Sequence, residues 1–252
     1  MSEPTGRSVS TDGAPIADAP PRAAESTASW WEDFIDIFYT PSSVFARRAS
    51  SSFFLPMLVV TLLAGGLYLM NSAVWSPIMD AEMSRSMAKQ SQQLTPEQLE
   101  RVRGVTGTIA KVGAFIFMPV GIFLTGLMLW ACGKFVEAKQ TLGQALMVTS
   151  YAFLPRVVEG LVVSVQGLLL DPNSFDGRWR VSLGVGRFLD PDTTSPALLS
   201  LIGRLDVFTI WVTVLLAIGL AVVGRIPRSR AAIAGALVWV LGAIPLLLQA
   251  RR

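Results

Sequence analysis

The chain has 252 residues, of which 52% are hydrophobic and only 15% are charged, and its mean hydropathy is +0.51. A water-soluble domain carries about 25% charged residues, so this composition excludes an ordinary soluble protein. The formal net charge is +3, but the basic residues are scattered between apolar blocks, which excludes a nucleic-acid-binding surface. Histidine is absent and Cys132 is the single cysteine. We therefore expect no metal site, no cofactor and no intramolecular disulfide.

The first 28 residues differ from the rest in composition. Residues 1–28 are rich in Ala, Pro, Ser and Thr and have almost no large apolar side chains. Such a segment cannot bury enough surface to offset the entropy lost on ordering, so we expect a disordered cytoplasmic tail. It contains no apolar stretch like that of a signal peptide, so we expect the tail to be retained.

A short amphipathic helix is predicted from Ser29 to Phe38, because its apolar residues recur at helical spacing and its acidic residues occupy the remaining arc. Two adjacent tryptophans favour the lipid headgroup layer, so the helix is predicted to lie flat on the membrane as an interfacial anchor. Packing against the cytoplasmic face of the protein is the alternative. The candidate anchor residues are Trp30, Trp31, Phe34 and Phe38.

Five apolar blocks follow, each long enough for a transmembrane helix. The sequence therefore predicts an all-α membrane protein, a five-transmembrane-helix bundle that occupies residues 29–252 together with the amphipathic helix. Further helix starts are indicated where a capping side chain precedes a proline, at Thr95 and at Ser195. Pro155 predicts a kink in the third block. The predicted spans are residues 53–70, 109–131, 142–170, 207–224 and 231–248.

The orientation is predicted from the basic residues near the span ends, which mark the cytoplasmic side. Most of them fall on one side, and five spans then place the amino-terminus in the cytoplasm and the carboxy-terminus outside. Arg251 and Arg252 argue for the opposite orientation. The residues on the predicted cytoplasmic side are Arg47, Arg48, Lys134, Lys139, Arg225, Arg228 and Arg230.

The third apolar block contains two charges, Arg156 and Glu159. A spacing of three residues places them on one helix face, where they can pair. Ionisable groups at membrane depth commonly face a bundle interior or a water-filled cavity. One hypothesis is a structural clasp. The alternative is an ion or proton path that also uses Lys111 and Asp206, although no spacing rule shows that the four residues meet.

Three stretches carry a family resemblance: Asp-Ile-Phe-Tyr-Thr-Pro at residues 36–41 with Phe45 after it, Ser-Tyr-Ala-Phe-Leu-Pro at residues 150–155, and the apolar residues 205–220. Their order and the five-span layout resemble the Yip family, the Ypt/Rab-interacting membrane proteins. The resemblance covers residues 30–248. The first motif lacks the glycine that eukaryotic members have at this position.

The resemblance implies a five-helix membrane domain whose eukaryotic members bind Rab-type GTPases and take part in vesicle formation between endoplasmic reticulum and Golgi. Arginine outnumbers lysine by 17 to 4, which indicates a bacterial member in the cytoplasmic membrane, where no Rab cycle exists. We expect a non-enzymatic scaffold that recruits partners or organises the membrane. Its expected partners are the lipid bilayer and an unidentified protein or a second copy of the chain. A transporter or channel component using Arg156 and Glu159 is the alternative.

Overall fold

A computed structural model describes residues 29–89, 95–170 and 177–249. The described residues form α-helices and two short 3-10 turns, Arg178–Val181 and Val185–Phe188, and contain no β-strand. The predicted tail, residues 1–28, lies outside the described residues. The α-helices are α1 Asp33–Tyr39, α2 Pro41–Arg47, α3 Phe54–Met70, α4 Ser72–Lys89, α5 Pro96–Phe135, α6 Leu142–Ala152, α7 Leu154–Leu169, α8 Pro196–Ile202, α9 Val207–Gly224, α10 Arg228–Leu241 and α11 Ile244–Gln249.

Three helical segments in the described part of the chain are long and apolar enough to cross a membrane: Glu97–Phe135, Leu142–Leu169 and Val207–Gly224. They contain the second, third and fourth predicted spans. A fourth crossing is present if the bent pair of α3 and α4 counts as one span. The all-helical membrane architecture is thus confirmed, while the structure supports three or four crossings by length and composition rather than five.

The fifth predicted span is interrupted. Helix α10 has 14 residues and α11 has 6, and the chain between them turns at Gly242 and Ala243. Neither helix alone reaches the roughly 17 residues that a membrane crossing needs.

The first polar connector is more ordered than its composition indicates. Its first half is helix α4, which meets α3 at an angle of 81° after a break at Asn71. Helix α5 begins at the predicted point, because Thr95 and Gln98 form a reciprocal capping box. Each side chain accepts a hydrogen bond from the other residue's backbone N–H, which satisfies two donors at the helix start. The local signal for this helix start is confirmed.

The third span is interrupted next to Pro155. Helix α6 ends at Ala152, α7 begins at Leu154, and Pro155 lies in the first turn of α7. Proline has no backbone N–H to donate to the carbonyl of Tyr151, and its ring crowds that carbonyl. Two helix segments therefore share this span, which is interrupted at Phe153.

Helix α9 lies at the centre of the fold, where it contacts α2, α5, α6, α7 and α10. Glycine allows two of these close approaches. A Cβ at Gly219 would overlap Val148 of α6, and one at Gly235 of α10 would lie 3.2 Å from the Cβ of Ala217. Small residues let helix backbones approach and increase van der Waals contact, which drives helix association within a membrane.

The short basic segments lie at one end of the bundle. Lys139 donates its backbone N–H to the carbonyl of Gly224 at 3.0 Å, which joins the start of α6 to the end of α9. The side-chain amide of Gln144 donates to the carbonyl of Ala49 at 3.1 Å. This second contact brings the segment that follows Arg47 and Arg48 to the same end.

Candidate functional site

The first candidate site is the pair of short helices α1 and α2, which meet at Thr40. Asp33 of α1 has no exposed surface and pairs with two arginines. Its Oδ1 lies 2.7 Å from Nη2 of Arg47, and its Oδ2 accepts a hydrogen bond from Nε of Arg48. Arg47 also bonds Asp36 at 2.7 Å. The hydrogen bond of Arg47 to Asp33 has the larger effect and the one to Asp36 the smaller, and both raise the pKa of the Arg47 guanidinium. The four charges hold α1 to the end of α2.

Aromatic contacts attach α1 to the membrane helices. The ring of Phe34 lies 5.6 Å from that of Tyr151 on α6, and the ring of Phe38 lies 5.4 Å from that of Trp211 on α9 in an edge-to-face arrangement. Ile37 between them is fully buried. Rings at these separations attract each other beyond the area they bury. One face of α1 therefore packs on the bundle.

The other face of α1 and the residues before it are open. Trp30 is 51% exposed and Trp31 is 53% exposed, and Ile35 and Tyr39 are exposed beside them. Among the described residues, the ring contact of Trp30 is with Phe34, edge-to-face with the ring centres 6.1 Å apart. The four predicted anchor residues thus divide into two pairs, with Phe34 and Phe38 on the bundle and Trp30 and Trp31 facing outward. We call Trp30, Trp31, Ile35 and Tyr39 the aromatic edge.

The sequence pattern did not identify Asp33 as part of a site. Periodicity assigned it to the solvent-facing arc with Glu32 and Asp36, whereas the structure buries it. The adjacent arginines Arg47 and Arg48 were the one sequence signal for a nearby buried acid. They lie 14 and 15 residues after Asp33, and the turn at Thr40 brings them to it.

The second candidate site is centred on Arg156 of α7. Its Nη1 lies 2.6 Å from Oε2 of Glu159, so the predicted pair is formed. Its Nη2 donates to Oγ1 of Thr209 on α9 at 2.8 Å, and its Nη1 is 4.0 Å from Oδ1 of Asp206. Arg156 and Asp206 therefore do meet, whereas Lys111 lies exposed on α5, outside this cluster.

Asp206 has a clear local role as the N-cap of α9. Its Oδ1 accepts the backbone N–H groups of Phe208 and Thr209, each at 2.9 Å, and its Oδ2 accepts the Thr209 hydroxyl. A carboxylate at this position satisfies free N–H groups of the first turn and is stabilised by the helix dipole. The cluster thus joins the helix segment that follows the interruption next to Pro155 to the start of the central helix.

Arg204 lies beside this cluster and was not predicted as a site residue. Its guanidinium donates to two carbonyls at the end of α10, to Trp239 at 2.6 Å and to Gly242 at 3.1 Å, and lies 5.2 Å from the centre of the Trp239 ring. Its Nε is buried and has no hydrogen-bond partner among the described residues. Burial lowers the pKa of Arg204, and the nearby positive charge of Arg156 lowers it further. Neither Thr209 nor Arg204 carries a sequence signal that links it to Arg156.

The chemistry of both sites is that of ion pairs and caps. Within the described residues no group of three or more Cys, Asp and Glu side chains is placed to hold a metal ion.

Comparison with known proteins identifies the family. A family model described as the Yip1 domain matches residues 35–249. No curated protein and no solved structure gives a significant match. The matched region begins within the first candidate site, in α1, and includes all of the second. The family match covers most of the chain, and the described helices include spans that are apolar enough to cross a bilayer. This chain is therefore an integral membrane protein that belongs to the Yip1 domain family.

Proposed function

We propose that this protein is a non-enzymatic membrane scaffold that recruits a protein partner through the aromatic edge of its amino-terminal helix. The observation that carries the proposal is the division of α1 into two faces. One face is fixed to the bundle by Phe34, Ile37 and Phe38, and the other presents two tryptophans that are about half exposed. Tryptophan and tyrosine are enriched among the residues that dominate protein–protein binding energy.

The salt bridges of Asp33 support this role because they make the presenting helix rigid. An aromatic edge on a helix that is already ordered loses little conformational entropy when a partner binds. The edge also follows directly on residues 1–28, so a partner that contacts Trp30 can also contact the tail. A lipid headgroup layer is the competing occupant of this edge, because adjacent tryptophans also favour that layer.

We also propose a five-span topology with the amino-terminus in the cytoplasm of a bacterial cell. Helices α10 and α11 together would form the fifth crossing, interrupted at Gly242. The contacts of Lys139 with Gly224 and of Gln144 with Ala49 support this orientation. They gather the basic short segments at one end, as expected for a cytoplasmic face. Cysteine labelling of Ser43→Cys in sealed vesicles, with Cys132 replaced by Ala, tests the predicted side.

For Arg156 and Glu159 we propose the structural clasp. The hydrogen bonds of Arg156 run to Glu159 and Thr209, and Asp206 caps a helix. No contact in the described residues favours a transport path over this role, and each of these polar groups already has a local partner.

Site-specific photocrosslinking tests the recruitment proposal. A photoreactive phenylalanine analogue is placed at Trp31 in one variant and at Phe135 in another, and both are irradiated in native membranes. Phe135 is also strongly exposed but belongs to the end of α5, so it is the matched control. We expect a protein adduct of defined mass from position 31 that is absent from position 135.

The nature of the adduct decides between the occupants. A specific protein adduct at position 31, lost when Trp30 is changed to Ala, supports the proposal and names the partner. Adducts only with lipid would instead make the helix an interfacial anchor. Adducts with a second copy of the chain would make the edge a self-association surface. Identical adducts at positions 31 and 135 would contradict recruitment through this edge.

A further inference from the structure

Two short loops adjoin at the basic end of the bundle. One connects α5 to α6 and the other connects α9 to α10. The backbone N–H of Lys139 in the first loop donates to the carbonyl of Gly224 at 3.0 Å, and Nη1 of Arg230 lies 2.6 Å from Oε2 of Glu137. A backbone hydrogen bond and a salt bridge thus hold the loops side by side. We call residues 134–141 and 225–230 together the loop pair.

The loop pair has an excess of positive charge. It contains five cations, all exposed, and one carboxylate, Glu137, which Arg230 already neutralises. Lys134 donates to the carbonyl of Gln140 at 3.3 Å, which leaves its charge uncompensated. In the described part of the chain the side chains of the remaining three cations form no salt bridge and no hydrogen bond. The five cations are Lys134, Lys139, Arg225, Arg228 and Arg230.

The neighbouring helices α1 and α2 do not supply the missing negative charge. Their two aspartates, Asp33 and Asp36, already pair with Arg47 and Arg48. Glu32 is the one further acid between residues 29 and 52. A single additional carboxylate does not balance the four remaining cations of the loop pair, so this surface favours an anionic partner.

The loop pair lies at the level of the lipid headgroups. Its cations are all within about one turn of a helix end. The Nζ of Lys134 lies 5.8 Å from the centre of the Trp130 ring, and Phe135 beside it is 83% exposed. Tryptophan concentrates in the headgroup layer, and lysine extends its charge into that layer from a helix end. Lipid phosphates are therefore the anions that these cations meet in a bilayer.

Both loops have a charged side chain where the end of a helix favours glycine. Glu137 and Arg225, with φ of 61° and 54°, are the two residues other than glycine that have a positive φ in the described part of the chain. The N–H of Ala138 closes α5 with a bond of 2.9 Å, and that of Ile226 closes α9 with a bond of 3.3 Å. Glycine is usual inside such a turn because it has no Cβ. A charged residue at this unfavourable position indicates a role for its side chain.

We propose that the loop pair binds anionic phospholipid headgroups, and that it prefers a lipid with two phosphate groups, such as diphosphatidylglycerol, to a lipid with one. Four of its cations have no carboxylate partner among the described residues, so a single phosphate leaves most of them uncompensated. When two phosphates belong to one molecule, the second binds without a further loss of translational freedom. Basic surfaces at this level of a membrane protein suit such headgroups. This site is separate from the aromatic edge and does not depend on the recruitment function.

Native mass spectrometry of the detergent-purified, delipidated protein tests the proposal with four probes. Tetraoleoyl diphosphatidylglycerol has two phosphates, dioleoylphosphatidylglycerol has one, dioleoylphosphatidylcholine has no net charge, and inorganic pyrophosphate has no acyl chains. We expect the affinity to fall about fivefold at each step from the first lipid to the third, because each basic residue near an anionic surface contributes about that factor. Pyrophosphate should bind at least about tenfold more weakly than diphosphatidylglycerol, because it lacks the chains that keep the phosphates in the headgroup layer.

Two matched variants locate the site. Arg225→Gly and Glu137→Gly relieve the same backbone conformation but change the charge in opposite directions. We expect Arg225→Gly to lower the affinity for diphosphatidylglycerol about fivefold without a loss of stability. Glu137→Gly should raise the affinity, because it releases Arg230 from its partner. The charge control is Arg101→Gln, an exposed position near the start of α5, which should leave the affinity unchanged.

The comparison among probes needs no variant, so it decides the question by itself if a variant fails to fold. Equal binding of diphosphatidylglycerol and phosphatidylcholine would overturn the proposal. Equal binding of the two anionic lipids would overturn the preference for two phosphates, and pyrophosphate binding as tight as that of diphosphatidylglycerol would overturn the lipid assignment. An unchanged affinity in folded Arg225→Gly, or changes of the same sign in the two glycine variants, would overturn the location in the loop pair.

Discussion

Arg156 on α7 and Thr209 on α9 are 53 residues apart in the sequence, yet the guanidinium of one donates to the hydroxyl of the other at 2.8 Å. Thr209 connects Arg156 to Asp206, because its hydroxyl and its backbone N–H both donate to the Asp206 carboxylate. The helix segment that begins next to Pro155 and the first turn of the central helix are thereby joined through one hydroxyl group.

The first prediction concerns this hydroxyl. Thr209→Val keeps the shape of the side chain but leaves Arg156 and Asp206 without their shared partner. We expect it to lower the free energy of unfolding by about 1 kcal/mol, the size typical of hydrogen bonds between membrane helices. Thermal unfolding in detergent micelles measures the loss.

Thr213→Val is the matched control for this prediction. Thr213 lies one turn later on α9, and its hydroxyl bonds only the carbonyl of Thr209 in its own helix. This variant should unfold within about 0.5 kcal/mol of the wild type. Equal losses for the two variants would show that the contact with Arg156 does not stabilise the fold.

A second prediction concerns the buried carboxylate of α1. Asp33→Asn leaves Arg47 and Arg48 without their shared counter-charge at a fully buried position. Arg47 keeps its bond to Asp36, but the loss of two charge-assisted hydrogen bonds should weaken the contact between α1 and α2 by about 1–3 kcal/mol. Limited trypsin digestion measures this, because cleavage after the two arginines should be faster in the variant.

Glu32→Gln serves as the control on the same segment. Glu32 is partly exposed. Within the described part of the chain its carboxylate accepts the backbone N–H of Ser29, a bond that Gln can also accept. Its digestion rate should match that of the wild type. If Asp33→Asn is cleaved no faster than Glu32→Gln, the salt bridges do not hold α1 in place.

The contact between α6 and α9 leads to a third prediction. A Cβ at Gly219 would overlap Val148 and lie 3.2 Å from the ring of Phe45. Gly219→Ala should therefore lower the free energy of unfolding by about 1–3 kcal/mol, as overpacking of a close-packed interior does. Gly66→Ala is the matched change, because its Cβ meets nothing within 4 Å. That variant should gain up to about 1 kcal/mol from helix propensity. Stabilisation by both changes would contradict the close approach of α6 and α9.

The end of α9 leads to a fourth prediction. Arg225 ends the helix in the left-handed conformation, with φ of 54°. A residue with a side chain pays about 1 kcal/mol for this conformation and glycine does not, so Arg225→Gly should raise the free energy of unfolding by about that amount. Ala232→Gly at an exposed position within α10 should lower it by about 1 kcal/mol. A loss of stability in Arg225→Gly, measured by thermal unfolding, would contradict the role of this backbone position.

Several elements could be predicted because their signals are local. The capping box of Thr95 and Gln98, the start of α8 after Ser195, the helix interruption next to Pro155 and the pairing of Arg156 with Glu159 each depend on residues within four positions of one another. Backbone hydrogen bonding and side-chain reach within one helical turn determine these features, whatever the rest of the chain does.

The arrangement of the candidate sites could not be predicted in this way. The burial of Asp33 depends on the turn at Thr40, and the contact of Arg156 with Thr209 depends on α7 and α9 lying side by side. Periodicity assigns a residue to a helix face but does not say which neighbour covers that face. For the same reason the sequence alone could not divide the four anchor residues into an attached pair and an exposed pair.

By itself the sequence determined that this protein is an all-helical membrane protein, where most of its helices begin, and that it resembles the Yip family, because apolar block length, caps and short motifs are properties of consecutive residues. Only the tertiary structure decided how the crossings are interrupted at Asn71 and Gly242, which charges meet, and that the loops after α5 and α9 adjoin. Those outcomes depend on the packing of helices that are distant in sequence, where contact distances of a few ångströms are set by the whole bundle rather than by any local pattern.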